Sequence, residues 1–96
     1  MSGKTSLHLR LYIAGDAPNS MQAMSNLEAI FREHLSESHE LEIVDILQDP
    51  ARALADGIFL TPTLVKLAPA PVRRVVGSLS QREMLLNTLG FSPSPK

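Results

Sequence analysis

Leu60-Thr61-Pro62-Thr63-Leu64-Val65-Lys66-Leu67-Ala68-Pro69-Ala70-Pro71-Val72-Arg73-Arg74-Val75-Val76-Gly77 is the stretch on which the fold turns. Pro62, Pro69 and Pro71 lack a backbone donor and have a fixed φ, so they cut the segment into pieces too short for one continuous element. The pieces are apolar. Leu64, Val65 and Leu67 precede a Pro-Ala-Pro connection, and Val72, Val75 and Val76 follow it, which predicts two short strands joined by a tight turn. Three X-Pro bonds within ten residues also make this the expected place for a second conformation.

Working outward, the segment before this pair predicts one βαβ unit. Leu7 to Ile13 alternates apolar and polar residues and reads as a strand. Ala14-Gly15-Asp16-Ala17-Pro18 stops it, and Asn19 is the expected N-cap of a helix of about 17 residues, with Met21, Met24, Leu27, Phe31 and Leu35 as its buried stripe. Leu41 to Leu47 is apolar on both faces apart from Glu42 and Asp45, the pattern of a parallel strand inside a sheet. Asp49 and Pro50 start a short helix over Ala51–Asp56, which Gly57 closes. Beyond the proline-rich pair, Ser80 and Glu83 read as a capping box for a last helix ending at Gly90. Residues 1–5 and 91–96 read as loose ends around a single domain over 7–90. The order β-α-β-α-β-β-α, with Thr-Pro-Thr before the third strand, is similar to the thioredoxin arrangement, a mixed four-stranded α/β sheet with helices on both faces.

Composition narrows the function. The 96 residues contain no cysteine, which leaves neither a disulfide framework nor a thiol redox centre. The loop where a thioredoxin carries its cysteines reads Ala14-Gly15-Asp16-Ala17-Pro18-Asn19-Ser20. Apolar residues at 44% and charged residues at 20% are ordinary for a globular domain. No apolar run reaches the roughly 18 residues of a membrane span, so a cytoplasmic protein without membrane contact is expected. The net charge of -1 conceals an asymmetry. Residues 1–50 carry three bases against eight acids, giving -5, and residues 51–96 carry six bases against Asp56 and Glu83, giving +4. That polarity suits a protein partner or self-association, whereas nucleic-acid binding wants a larger basic excess and more than four aromatic residues.

Catalytic chemistry finds little support. His34, Glu37 and His39 could hold a metal, but a solvated helix end accounts for the cluster better. Asp45 reads as a strand-end carboxylate with no nucleophile beside it, and Ser20 at the helix start reads as capping chemistry. No cofactor is expected. Arg73 and Arg74 are consecutive, so on a strand they point to opposite faces; one can meet an acidic partner while the other makes an internal ion pair.

Leu11-Tyr12-Ile13-Ala14-Gly15, Pro18-Asn19-Ser20, Val44-Asp45, Asp49-Pro50, Thr61-Pro62-Thr63-Leu64 and Pro71-Val72-Arg73-Arg74-Val75-Val76-Gly77 closely resemble the motifs of the KaiB family, with Leu79-Ser80 and Arg82-Glu83 continuing the match. The resemblance implies a non-enzymatic regulator that binds a KaiC-like hexameric ATPase and alters its phosphorylation or hydrolysis cycle, in circadian timing or stress signalling. KaiA-like or histidine-kinase partners and a homo-oligomer, tetramer or dimer, are implied as well. It further implies a metamorphic chain, thioredoxin-like in one state and refolded in its C-terminal half in the other. Partner contacts are expected at Lys66, Arg73, Arg74, Glu42 and Gln22, and the fold switch at Pro62, Pro69, Pro71, Gly77 and Ser78. Ala70 interrupts the family's proline run, and Ser78 stands where many clock members carry an acid. Gln22, Ser25, Glu28 and Glu42 occupy positions often basic in cyanobacterial members, and the acidic C-terminal extension of many members is missing. These departures suit a relative outside the cyanobacterial oscillator. The alternative reading is a cysteine-free thioredoxin-fold enzyme that handles glutathione or a peptide.

Overall fold

The computed structural model describes residues 7–33 and 39–90. Seven elements follow in the expected order: β1 (Leu7–Ile13), α1 (Pro18–Glu33), β2 (His39–Asp45), α2 (Pro50–Ala55), β3 (Thr63–Ala68), β4 (Arg73–Val76) and α3 (Arg82–Leu89). The strands form one mixed sheet in the order β2-β1-β3-β4. β1 and β2 run parallel across the α1 crossover, while β3 pairs antiparallel with both β1 and β4. This is the thioredoxin-like architecture. The proline-rich segment forms the antiparallel pair read from its sequence, with residues 69–72 as the connection.

Alternation along the strands sorts the core into two layers. Leu7, Leu9, Leu11 and Ile13 of β1 pack with Leu64, Val75, the α1 residues Ala23, Leu27, Ile30 and Phe31, and the α3 residues Leu85, Leu86 and Leu89. Tyr12, Val44 and Val65 point the other way, onto Ala53 and Ile58 at α2. α1 and α3 therefore cover one face, and α2 covers the other.

Four local readings are corrected. Pro18, not a residue after Asn19, takes the first helical position of α1, and the loop is held instead by the buried Ser20 hydroxyl, which accepts the Ala14 amide at 3.1 Å. The helix is rotated accordingly: its buried residues are Ser20, Ala23, Leu27, Ile30 and Phe31, Met24 packs partly against them, and Met21 is half exposed. β2 is an edge strand, not an interior one, because it pairs with β1 alone; Leu41 and Ile43 stay 37% and 40% exposed. At α3 the N-cap is Gln81 with no side-chain bond, so Ser80 and Glu83 form no capping box. Asp49 does cap α2, accepting the Arg52 amide at 3.3 Å. His34, Leu35 and Glu37 lie outside the described residues, as do the expected loose ends at 1–5 and 91–96. The described residues contain no group of three His, Cys, Asp or Glu able to hold a metal ion.

Two glycines fix loops that the candidate site depends on. Gly15 has φ +56°, a Cβ there would sit 3.1 Å from Leu47 Cδ1, and its amide donates to Asp45 Oδ1 at 3.0 Å. Gly77 has φ +115° and its amide donates to the Pro62 carbonyl at 2.9 Å. Two residues later Leu79 also has a positive φ, +64°, with its side chain buried in the larger core. A left-handed leucine costs on the order of 1 kcal/mol, and burying its side chain offsets that.

Candidate partner-binding site

Adjacent arginines on β4 are separated by the sheet, as the alternation requires. Arg74 lies on the α2 side, where its guanidinium donates to the Gly57 carbonyl at 3.1 Å and the Asp56 carbonyl at 2.8 Å. The internal partner is thus a pair of backbone oxygens at the end of α2, not the acidic side chain expected. Arg73 lies on the α3 side, is exposed, and makes no hydrogen bond or ion pair among the described residues. Lys66 stands directly opposite it on β3, on the same face, and only 7% of its surface is exposed. Lys66, Pro71, Arg73, Asn87 and Thr88 line a cavity of about 350 Å³ between the β3–β4 hairpin and α3.

Glu42 sits on the opposite rim of the sheet. It accepts Arg10 Nε at 2.8 Å and Arg52 Nη2 at 3.0 Å, and both arginines also approach Asp56 Oδ2 at 3.6 Å. Tyr12 donates its hydroxyl to Asp56 at 2.5 Å and accepts from Arg10 at 3.3 Å. The Arg10 hydrogen bond, joined by that from Arg52, holds the Glu42 carboxyl below the usual carboxylate range. Burial, reinforced by the carboxylate of Asp56, raises the Tyr12 phenol above its ordinary value. Five side chains from β1, β2 and α2 form one network, so Glu42 already has internal work tying the edge strand to α2.

Gln22 is exposed on α1 and donates to Asn26 Oδ1 at 3.1 Å. Asn26 in turn donates to the Ser78 carbonyl at 2.8 Å, which links the first helix to the β4–α3 junction. The five residues expected to contact a partner do not share one face. Lys66 and Arg73 come together beside α3; Arg74 and Glu42 both face α2 but stand at opposite edges of the sheet; Gln22 lies on α1. Of the residues expected at the fold switch, Pro62 and Gly77 are brought together by a backbone bond, and Pro69 and Pro71 bracket the β3–β4 connection. Asn26, and the left-handed backbone of Leu79 within the Leu79-Ser80 motif, escaped the sequence reading. Periodicity marks neither a bond spanning 52 positions nor a positive φ at a leucine.

Fold neighbours agree with this geometry. The N-terminal domain of Synechococcus elongatus SasA superposes with a TM-score of 0.74 at 19% identity, over 93% of this chain and 88% of that one. A Fasciola hepatica thioredoxin gives 0.69 at 17% identity, over 88% and 80%. Both show a shared fold. Sequence relatives say more. A Prochlorococcus marinus protein described as "Circadian clock oscillator protein KaiB" is 44% identical over 86 residues, covering 90% of this chain and 72% of the relative. Another from Prochlorococcus marinus subsp. pastoris, described in the same words, is 45% identical over 78 residues, covering 81% and 73%. Residues 10–91 match the KaiB domain. With that span and those identities, the chain belongs to the KaiB family.

Proposed function

We propose that this chain is a non-enzymatic regulator that binds a KaiC-type hexameric ATPase and alters its phosphorylation or hydrolysis cycle. Family membership carries the reading, through the KaiB domain match over residues 10–91 and relatives described as clock oscillator proteins. Arg73, an exposed cation without a partner among the described residues, is its main contact with an acidic surface, with Lys66 beside it on the same face, while Arg74, Glu42 and Gln22, on other faces, contribute only where the partner wraps past the edges of the sheet. The C-terminal half has a second fold, with Pro62, Pro69, Pro71, Gly77 and Ser78 as the positions that rearrange and a homo-oligomer as the assembled state. Positive φ at both Gly77 and Leu79 supports a junction with more than one way to pack.

The test is size-exclusion co-elution of the purified chain with a KaiC-type ATPase after hours of incubation, alongside amide NMR spectra of the isolated chain at two concentrations. A shared peak supports docking; separate peaks at every incubation time overturn it. One set of resonances at both concentrations, with a single sedimenting species, overturns the second fold. The thioredoxin-fold enzyme is the weaker reading: no residue of the chain is cysteine, and Ser20 at the helix start is buried with its hydroxyl engaged by Ala14. Absence of turnover with glutathione conjugates removes it.

A further inference from the structure

The geometry points to the Lys66–Arg73 cavity as a binding site for a phosphoryl dianion, either inorganic phosphate or the phosphate of a small ester. Lysine is seldom buried without a partner, yet Lys66 is more than nine-tenths buried and takes part in no hydrogen bond or ion pair among the described residues. Its cross-strand neighbour is Arg73, another cation with none. Like charges directly opposite on a sheet repel, so this pair opposes folding unless an anion lies between the two heads. Lys66 is buried but lines the cavity, so its stem is covered while its head opens into that space rather than onto a protein acceptor: among the described residues no buried side-chain nitrogen or oxygen lacks a hydrogen-bond partner.

The lining is chemically one-sided. Lys66 and Arg73 bring two positive charges, Asn87 an amide donor, and Pro71 a rigid wall, while among the described residues no carboxylate borders the space. The Thr88 hydroxyl is already committed as a donor to the Met84 carbonyl at 2.9 Å. A carboxylate would leave one positive charge uncompensated. A phosphate near neutral pH carries about -1.5 to -2 and can accept from a guanidinium fork and an ammonium at once. About 350 Å³ admits a phosphate with room for an ester substituent. The other exposed basic group on β4, Arg74, lies on the opposite face with its guanidinium on the Gly57 and Asp56 carbonyls and takes no part in this cavity.

The inference stands apart from docking to an ATPase, since it concerns the isolated chain; co-elution without phosphate binding removes the cavity site and leaves the docking, and the reverse removes the docking. The full chain is titrated with inorganic phosphate, AMP and acetate, each at constant ionic strength made up with chloride, while backbone amide shifts are followed. Phosphate and AMP are expected to give saturable shifts at Lys66, Arg73, Asn87 and Thr88 with a millimolar or lower midpoint. Arg73→Gln, on an exposed side chain, and Lys66→Met, which keeps the buried stem, each raise that midpoint at least tenfold with the amide dispersion retained. A lower midpoint for AMP than for phosphate assigns the ester as ligand, and equal midpoints assign the phosphoryl group alone. Shifts that stay linear, acetate binding as tightly as phosphate, or a midpoint unchanged in Arg73→Gln overturns the site.

Discussion

Replacing each of the two adjacent arginines by alanine should separate folding from binding. Arg74 holds the edge strand β4 to the end of α2 through bonds of 3.1 and 2.8 Å to the Gly57 and Asp56 carbonyls. A hydrogen bond from a charged donor contributes about 1.5–3 kcal/mol when shielded, and about half or less where solvent screens it. Both bonds lie at the surface, and both carbonyls find water once the guanidinium is gone. Arg74→Ala should therefore cost about 1.5 kcal/mol in total. Arg73 forms neither an ion pair nor a hydrogen bond among the described residues, so Arg73→Ala should leave stability within about 0.5 kcal/mol of the parent or raise it by relieving Lys66. Urea unfolding followed by circular dichroism reads both. With a slope of about 1 kcal/mol/M, the Arg74 variant unfolds about 1.5 M earlier at unchanged slope, and the Arg73 variant does not. Equal midpoints for the two variants, or a larger loss for Arg73, would refute the division of labour derived from the sheet alternation.

In partner binding the order reverses: Arg73→Glu should weaken the complex with a KaiC-type ATPase by at least about 1 kcal/mol in a titration. Gly77→Ala meets no atom within 4 Å but must hold φ +115°, so it should destabilise this fold by about 1 kcal/mol; if the second fold relaxes that angle, sedimentation and chemical shifts should show the population ratio moving about fivefold. Ser78→Asp should favour the assembled form in the same measurements. Glu42 titrates lower in the folded chain than an ordinary glutamate at 4.5, so its contribution is present above that pH and fades as pH falls through the folded value. Glu42→Gln should thus lose stability at pH 7 and converge on the parent once the pH falls below the folded value, as urea midpoints will show. Tyr12 titrates higher than 10.0 when folded, so its contribution is full below that pH and declines as pH rises through the folded value; Tyr12→Phe should cost about 1–2 kcal/mol at pH 7 and less at alkaline pH.

What the chain wrote locally could be read locally. The parallel β1–β2 unit, the Asp49-Pro50 helix start, the hairpin around Pro69 and Pro71, and the opposite faces of Arg73 and Arg74 each follow from spacing over a few residues. The misreadings arise where a distant neighbour decides. Leu41 and Ile43 look like interior strand residues because composition reports apolar side chains, not whether another strand lies beyond them. Met21, Met24 and Leu27 recur in steps of three, which drift round a helix and leave Met21 about 120° from Leu27, whereas Ala23, four residues before Leu27, lies about 40° from it and is the one buried. The Arg10–Tyr12–Glu42–Arg52–Asp56 network joins three elements, and the Lys66–Arg73 cavity needs α3 as its wall; neither has a signature in linear spacing. Lys66, Arg73, Arg74, Glu42 and Gln22 could be named as candidates, but their distribution over different faces could not.

The separation of charge between the halves of the chain becomes, in the folded sheet, a separation between its rims. Glu40 and Glu42 stand on β2 at one edge, where Arg10 and Arg52 partly neutralise Glu42, and Arg73 and Arg74 stand on β4 at the other with no carboxylate paired to them among the described residues. Three interstrand steps of about 4.8 Å put these poles roughly 14 Å apart, beyond the Debye length of about 8 Å at physiological salt. A molecule with net charge -1 and such a moment feels little net pull from a charged surface, yet it feels a torque. Near any negatively charged surface such a moment turns the basic rim forward over the last nanometre, and added salt weakens that alignment before it weakens a contact already made.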